Sequence, residues 1–300
     1  MLPDILLPYN EVDAKNPLFQ QKWHHLRWLN SETRLRRYTQ LMLIGLPLLI
    51  LLWWLIERLN LHFADVPPDF ADRLINLTLY AALITMALSS LYSLPHIMGR
   101  FNAQYNSAYW DTLRLTSQYN SAILMAHDAI AQLRLWPFTA IEIGLRIAIV
   151  ALFTLNNFYE VFHTYPQQSE FVAQTLLNPT CLGLWGIILF IGIAFTLEPI
   201  IRTRLIIAFH LIIAIRIQNV PLALLTGFST LLIIHLAQLF LIVCLYAIFQ
   251  VFTTQQMGGV GIALCFLPLT AIATVLLWAL YRWLRKATLN LAYNSAFRQD

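Results

Sequence analysis

Charge is what this 300-residue sequence has least of: Asp, Glu, Lys and Arg make up 11% of it, against 59% hydrophobic residues and a mean hydropathy of +0.63. Soluble domains usually carry about 25% charged residues, so a deficit of this size excludes a water-soluble core for a chain of this length. A leader is a second absence. The first 39 residues are polar and hold no apolar core of the needed length, so no cleavable signal peptide is expected and the first apolar run is expected to serve as the targeting signal. There are only three cysteines, Cys181, Cys244 and Cys265, all within apolar runs; they read as small buried hydrophobes rather than a disulfide set. No Gly-x-x-x-x-Gly-Lys-Ser/Thr pattern or glycine-rich phosphate loop occurs, so any nucleotide hydrolysis must come from a partner chain. His-Glu-x-x-His, Cys-x-x-Cys and a nucleophile elbow are missing too. The chain is therefore not expected to be an enzyme or to carry a metal or cofactor. A net charge of +4 is no nucleic-acid signature, and no nucleic-acid partner is expected.

Long apolar runs are present instead. Crossing about 30 Å of hydrocarbon takes about 20 helical residues. Six runs qualify: Gln40 to Ile56, Leu74 to Leu94, Pro137 to Asn156, Phe171 to Leu197, one within Leu222 to Phe252, and one within Gly259 to Tyr281. Helices satisfy their own backbone groups in lipid. The fold class expected is all-α, a polytopic transmembrane helical bundle of six spans.

Loop charge orients it. Lys15, Lys22, Arg27, Arg34, Arg36 and Arg37 precede the first run; Arg100, Arg114 and Arg134 lie in 95–137; Arg202, Arg204 and Arg216 follow the fourth run; Arg282, Arg285, Lys286 and Arg298 close the chain. The intervening loops are acidic or neutral. This alternation predicts the inner (plasma) membrane with both termini cytoplasmic. Residues 205–215 are apolar but only about eleven long and bracketed by arginines, closer to an interfacial or re-entrant helix near 200–219 than to a span; a seventh span there would send the basic tail outside. Residues 1–39 form a cytoplasmic N-terminal segment in which 16–39, mixing Phe19, Trp23, Leu26 and Trp28 with Lys22, His24, His25 and Arg27, reads as an amphipathic interfacial helix. Spans one and two occupy 40–94, polar cytoplasmic helices 95–137, spans three to six 138–282, and a cytoplasmic tail 283–300.

The polar stretch 95–137 carries the most information. Tyr109-Trp110-Asp111-Thr112-Leu113-Arg114-Leu115-Thr116 is followed by Ile123-Leu124. This resembles the coupling element of type-2 ABC exporter permeases, Gly-Thr-Trp-Asp/Glu-x-Leu-x-x-Thr-Pro and then Ile-Leu-x-Gly-Lys. Asn16-Pro17-Leu18-Phe19 is similar to that family's opening before a basic interfacial helix, and Leu197-Glu198-Pro199 to part of its second half. The resemblance implies a dimer of six-helix halves, substrate passage between them, and a separate ATPase docking on a coupling helix. Trp110, Asp111, Leu113, Thr116, Ile123 and Leu124 would be the partner-coupling residues. The chain departs from the pattern at Ala108-Tyr109 for Gly-Thr, Ser117 for Pro, His127 for Lys, and Asn102, Gln104 and Asn106 for an acidic-basic run. These departures keep an alternative open: a non-transporting accessory or scaffold subunit of a larger respiratory or photosynthetic membrane complex. Both readings expect lipid contact and homo- or hetero-oligomeric assembly.

Other features remain. Gln-Tyr-Asn-Ser-Ala occurs at 104–108 and 118–122, with Ala-Tyr-Asn-Ser-Ala at 292–296; it is either a repeated docking surface or a chance match in a Tyr/Asn/Ser-rich segment. Glu142 and Arg146 share a helix face inside the third span, an intramembrane ion pair for which a structural role fits better than a substrate site. His210 and His235 are isolated and read as satisfied histidines rather than ligands. Trp53, Trp54, Trp278 and Trp283 fit an interfacial aromatic belt.

Overall fold

A computed structural model of the protein describes residues 16–24, 26, 31–61, 70–115, 120–164, 179–254 and 259–297; within these, the backbone alone is described for 157–164, 179–188, 241–254, 259–271 and several single positions. All regular structure among the described residues is helical. Two short helices come first, α1 (Pro17–His24) and α2 (Glu32–Gln40), the latter running through a π-helical turn (Leu41–Gly45) into α3 (Leu46–Leu61). Next come α4 (Phe70–Ser93), a second π-helical turn (Leu94–Gly99), and the short α5 (Arg100–Tyr105) and α6 (Ala108–Arg114). Four long helices follow: α7 (Asn120–Thr164), α8 (Pro179–Arg216), α9 (Val220–Thr254) and α10 (Gly259–Phe297).

Among the described residues four stretches are long and apolar enough to cross a membrane: Glu32–Glu57, Asp72–Tyr105, Ala122–Asn156 and Val220–Phe240. These correspond to the first, second, third and fifth expected runs. The fourth and sixth fall largely where no side chains are described, as do the three cysteines; Thr116 lies outside the described residues altogether.

Each peripheral helix buries one narrow stripe and exposes the rest. On α4 the stripe is Leu74, Thr78 and Ala82, then Ser89 and Ser93, at four-residue intervals; on α9 it is Ala223, Gly227 and Leu231; on α10 it is Thr288, Ala292 and Ala296. These stripes are rich in small residues. Lipid tails are as apolar as leucine, so helices in a bilayer associate by close backbone approach, which small residues permit. The opposite faces carry Leu48, Leu49 and Leu52 on α3, Leu77, Ile84 and Leu88 on α4, and Leu232, Ile233, Leu236 and Phe240 on α9, all exposed. An apolar outward face of this kind is what hydrocarbon, not water, solvates.

Helices α7 and α8 are different, being buried almost all round over 123–148 and 200–215. They run antiparallel, since Thr139 meets Thr203 (3.3 Å), Glu142 meets Arg202 (2.5 Å) and Arg146 meets Glu198 (2.9 Å), so that advancing along α7 retreats along α8. Pairs of contacts fix the other directions: Trp136 Nε1 donates to Thr39 Oγ1 (2.8 Å) and Arg134 to the His96 carbonyl (3.1 Å), while Leu152 packs with Trp54 and Leu74 further along; Gly227 faces Met98 while Ser90 meets His235 (3.1 Å); and Arg216 donates to Ser295 (2.8 Å) while Gln238 links Glu198 to Tyr281. The six long helices α3, α4, α7, α8, α9 and α10 therefore alternate in direction, and residues 16 and 297 sit at the same end of the bundle.

That end holds the main core. Phe19, Leu35, Met98, Phe101, Trp110, Ile123, Leu133, Ile207, Leu211, Ala223 and Ala292 belong to one buried cluster built from α1, α2, the second π-helical turn, α5, α6, the starts of α7 and α9 and the ends of α8 and α10. Two expectations change here. Residues 205–215 are not a separate short element; they are the last turns of α8, and they are apolar because the protein itself surrounds them, not because they lie on lipid. Residues 283–297 continue α10 and pack on the bundle through Ala292 and Ala296.

Capping explains the joints. Asn16 Oδ1 accepts from the backbone N–H groups of Leu18 (3.0 Å) and Phe19 (3.3 Å), with Pro17 at the first helical position, where a missing N–H costs nothing. The Asn16 amide also donates to the Ala122 carbonyl (3.1 Å), tying α1 to the start of α7. Asn102 donates to the carbonyls of Ala214 (2.9 Å) and Ile217 (2.6 Å), satisfying groups that the end of α8 leaves open.

Among the described glycines Gly144 on α7 makes the closest backbone approach: a Cβ there would collide with the Met42 carbonyl oxygen in the first π-helical turn. A Cβ at Gly45 would meet only the Leu41 side chain at an ordinary 3.7 Å. Gly144→Ala is expected to destabilise the protein by about 1–3 kcal/mol through overpacking, while Gly45→Ala stays within about 0.5 kcal/mol. Thermal unfolding in detergent reads both, and equal shifts would refute the close approach.

Candidate functional site

Two glutamates and two arginines meet between α7 and α8. Glu142 and Arg146 lie one turn apart on α7, Glu198 and Arg202 one turn apart on α8. Arg146 Nη2 is 2.7 Å from Glu142 Oε1, and Arg146 Nη1 is 2.9 Å from Glu198 Oε2. Arg202 Nε is 3.0 Å from Glu198 Oε1, and Arg202 Nη2 reaches both Glu142 oxygens at 2.5 and 2.6 Å. The four form a closed ring of alternating sign with no net charge. The side chain of Glu142 is 1% exposed and that of Arg202 2%.

The surroundings complete it. Pro199 has no N–H, so within α8 the carbonyl of Phe195, four residues earlier, loses its helical donor. Arg146 Nη1 donates to that carbonyl (2.7 Å), and its guanidinium lies 4.5 Å from the centre of the Phe195 ring. Gln238 on α9 donates to Glu198 Oε1 (2.6 Å) and contacts the Tyr281 hydroxyl on α10 (3.4 Å). His235 lies beside Gln238 (3.2 Å) and Ser90 (3.1 Å), so α4, α9 and α10 are all wired to the ring. His210 is fully buried, and neither of its ring nitrogens has a hydrogen-bond partner among the described residues.

The sequence had singled out Glu142 and Arg146 but counted Arg202 as a loop charge that orients the chain. It is instead buried and neutralised. Arg285, also counted with the tail, is bonded to Asp128 on α7 at 2.7 Å, with Gln132 donating to the same carboxylate oxygen (2.8 Å). The signal for Glu198 and Arg202 was available: both pairs have the same Glu-x-x-x-Arg spacing.

The coupling-like segment occupies the core end. Trp110 points inward, edge-on to Phe101 (5.7 Å between ring centres), tilted against Tyr105 (5.0 Å) and near His127 (5.9 Å). Ile123 and Leu124 are buried in the same cluster and Leu113 packs against it. Asp111 and Thr112 face outward, and Leu115, just beyond α6, is 88% exposed. Of the residues expected to meet a partner, the apolar ones thus hold α6 on the protein and Asp111 faces away from it.

The first Gln-Tyr-Asn-Ser-Ala copy is an internal joint. Asn106 donates to the Gln218 carbonyl (3.3 Å), Ser107 donates to the Gln104 carbonyl (2.6 Å), and Tyr105 packs on Trp110. The copy at 292–296 buries its two alanines, and its Ser295 accepts from Arg216. Both copies therefore flank the end of α8. Of the copy at 118–122, residues 118 and 119 lie outside the described residues and the backbone alone is described for 120 and 121.

Lys22 on α1 lies at the same end. Its ammonium donates to Gln104 Oε1 (3.3 Å) and approaches the His127 ring nitrogens (3.1 and 3.4 Å). Burial, and then the nearby Arg134 guanidinium, lower its pKa from the usual 10.5 to about 8.

No family model, no curated protein and no solved structure matches this chain.

Breaking the ring leaves a buried charge without its partner. Glu142→Gln is expected to cost about 3–5 kcal/mol of stability, and Glu142→Gln with Arg202→Gln together much less than the sum of the single changes. A thermal-unfolding double-mutant cycle reads this, and additivity would refute the closed ring. A pH dependence follows from Lys22. Between about pH 8 and 10.5 the unfolded chain holds a proton that the native chain has released, so the contribution of Lys22 to stability is lowest below pH 8 and rises across that window. Unfolding temperatures measured over that range should show this rise flattened in Lys22→Gln.

Proposed function

We propose that this chain is the membrane-spanning, permease-like subunit of an ABC-exporter-type system, moving substrate outward with energy from a separate ATPase chain. The mounting of α6 carries the reading. A short helix between the second and third apolar stretches keeps Asp111, Thr112 and the exposed Leu115 outward, and its Trp110 is seated between Phe101 on α5 and His127 on α7. The polypeptide runs without a described break from α4 through the π-helical turn into α5. A force applied at α6 is thereby passed to both neighbouring long helices, which is what a coupling element must do.

The alternating directions of the six long helices support six spans in the inner (plasma) membrane, and the shared end of residues 16 and 297 supports both termini on one side. Lys22, Arg34, Arg36, Arg37 and Arg100 make that side the cytoplasm by the positive-inside rule, even with Arg202 and Arg285 removed from the count. α7 has 45 residues and α8 has 38. At 1.5 Å per residue these are about 68 and 57 Å long, well beyond the hydrocarbon, and the excess forms the packed cytoplasmic platform on which α6 sits. In this reading the ion ring holds α7 and α8 together as one unit while substrate passes between two halves of a dimer. The ring also favours a second reading, an accessory subunit, because a closed charge ring suits a static frame.

Purification in mild detergent from the native host separates the two. The tagged chain is expected to co-elute with an ATPase subunit, and Asp111→Arg with Leu115→Glu, both outward-facing, to reduce that yield at least about fivefold without loss of monodispersity. Wild-type protein that elutes without an ATPase, or a double variant that retains it, overturns the transport reading; co-elution with pigment or redox proteins supports the accessory one.

A further inference from the structure

A cleft opens at the core end of the bundle between α1, α5, α7 and α8. Lys22, Arg100, Phe101, Gln104, His127 and Arg134 line it, and its empty space, open mouth included, is about 310 Å³. The three cations come from three different helices. No Asp or Glu lines it among the described residues. Asp128, next to His127 in sequence, is bonded to Arg285 and Gln132 instead. Glu32 pairs with Arg36 at 2.8 Å.

The cationic groups are held in place. Arg134 Nη1 donates to the His96 carbonyl in the second π-helical turn (3.1 Å), which uses one of the five N–H donors of the guanidinium. Lys22 is held by Gln104 and His127, and the ring can accept from an ammonium only as the neutral imidazole. Arg100 is exposed at the mouth and has no carboxylate partner among the described residues. Cations brought together in a partly buried cleft repel one another, and a bound anion relieves that repulsion. The lowered pKa of Lys22 reports its burial and then its repulsion by Arg134. The spread of guanidinium donors suits the tetrahedral oxygens of a phosphate.

We propose that this cleft is a binding site for a phosphate group, a phosphomonoester or phosphodiester, engaged by Arg100, Arg134 and Lys22. Its place at one end of the apolar helices lets the same chemistry arrive from either of two sources, the headgroup of an anionic phospholipid or a soluble phosphate compound. The assignment is independent of whether the chain transports anything.

The test uses the full-length protein in detergent and in nanodiscs of phosphatidylcholine with phosphatidylglycerol. Native mass spectrometry reads retained phosphatidylglycerol, and thermal unfolding reads protection by inorganic phosphate. If the source is lipid, wild-type protein retains phosphatidylglycerol and Arg100→Gln with Arg134→Gln retains about tenfold less. If it is soluble, inorganic phosphate raises the unfolding temperature of wild type and not of that variant, while lipid retention is the same in both. Arg36→Gln, whose arginine pairs with Glu32 outside the cleft, keeps the wild-type response in each case. Arg100→Lys with Arg134→Lys keeps the charge and binds better than the glutamine variant but less well than wild type, because an ammonium meets phosphate as a point charge without the guanidinium fork; this separates loss of the site from a folding defect. The proposal is overturned if neither probe binds, if Arg36→Gln loses as much as the cleft variant, or if the lysine variant binds as poorly as the glutamine one.

Discussion

The neutral ring of Glu142, Arg146, Glu198 and Arg202 is the constraint on which the middle of the bundle depends. A lone carboxylate or guanidinium at such burial would cost several kcal/mol. Four of them closed into an alternating cycle leave no charge uncompensated, and the open Phe195 carbonyl at Pro199 supplies a further acceptor for Arg146. A buried ion pair is weak evidence for net stability, since well-packed apolar residues can do as well. What the ring fixes is register. α7 and α8 can meet in only one axial position without stranding a charge, and Gln238 carries the same requirement to α9.

From that fixed pair the bundle grows in two different ways. Towards the end where α1 lies, α7 and α8 are buried by protein and collect a dense core around Phe101, Trp110, Leu133 and Leu211. Away from it, α4 touches its neighbours through Leu74, Thr78 and Ala82 and α3 through Trp54, and α3, α4 and α9 turn leucine, isoleucine and phenylalanine outward. The first region has the economy of a soluble core, the second that of a helix bundle in lipid, where close backbone approach replaces hydrophobic burial as the source of adhesion. On the proposed reading, the soluble-like platform receives the partner and the lipid-facing bundle carries out the movement.

Much of the local chemistry was readable in the residues. Glu142 and Arg146, one turn apart, do bond to each other. The reading of His235 as a hydrogen-bonded histidine agrees with its contacts to Ser90 and Gln238, whereas His210 lacks such contacts among the described residues. What stayed hidden was longer in range. Arg202 and Arg285 look like loop charges in a charge count, because Glu142 and Asp128 lie 60 and 157 residues away, although Arg202 also has Glu198 one turn before it. The stretch 205–215 looks interfacial because a short apolar run bracketed by arginines has the same composition whether lipid or protein surrounds it.

The sequence by itself determined the scarcity of charge, the apolar runs and hence an all-helical chain with spans of membrane length, since composition and run length act residue by residue along the chain. Only the tertiary structure decided which charges are inside, that α8 continues unbroken to Arg216, that Trp110 faces in while Asp111 faces out, and that Lys22, Arg100 and Arg134 converge on one cleft. Those outcomes turn on which helix faces meet. A helix repeats every 3.6 residues, so sequence reveals which residues share a face but not which distant face will lie against it.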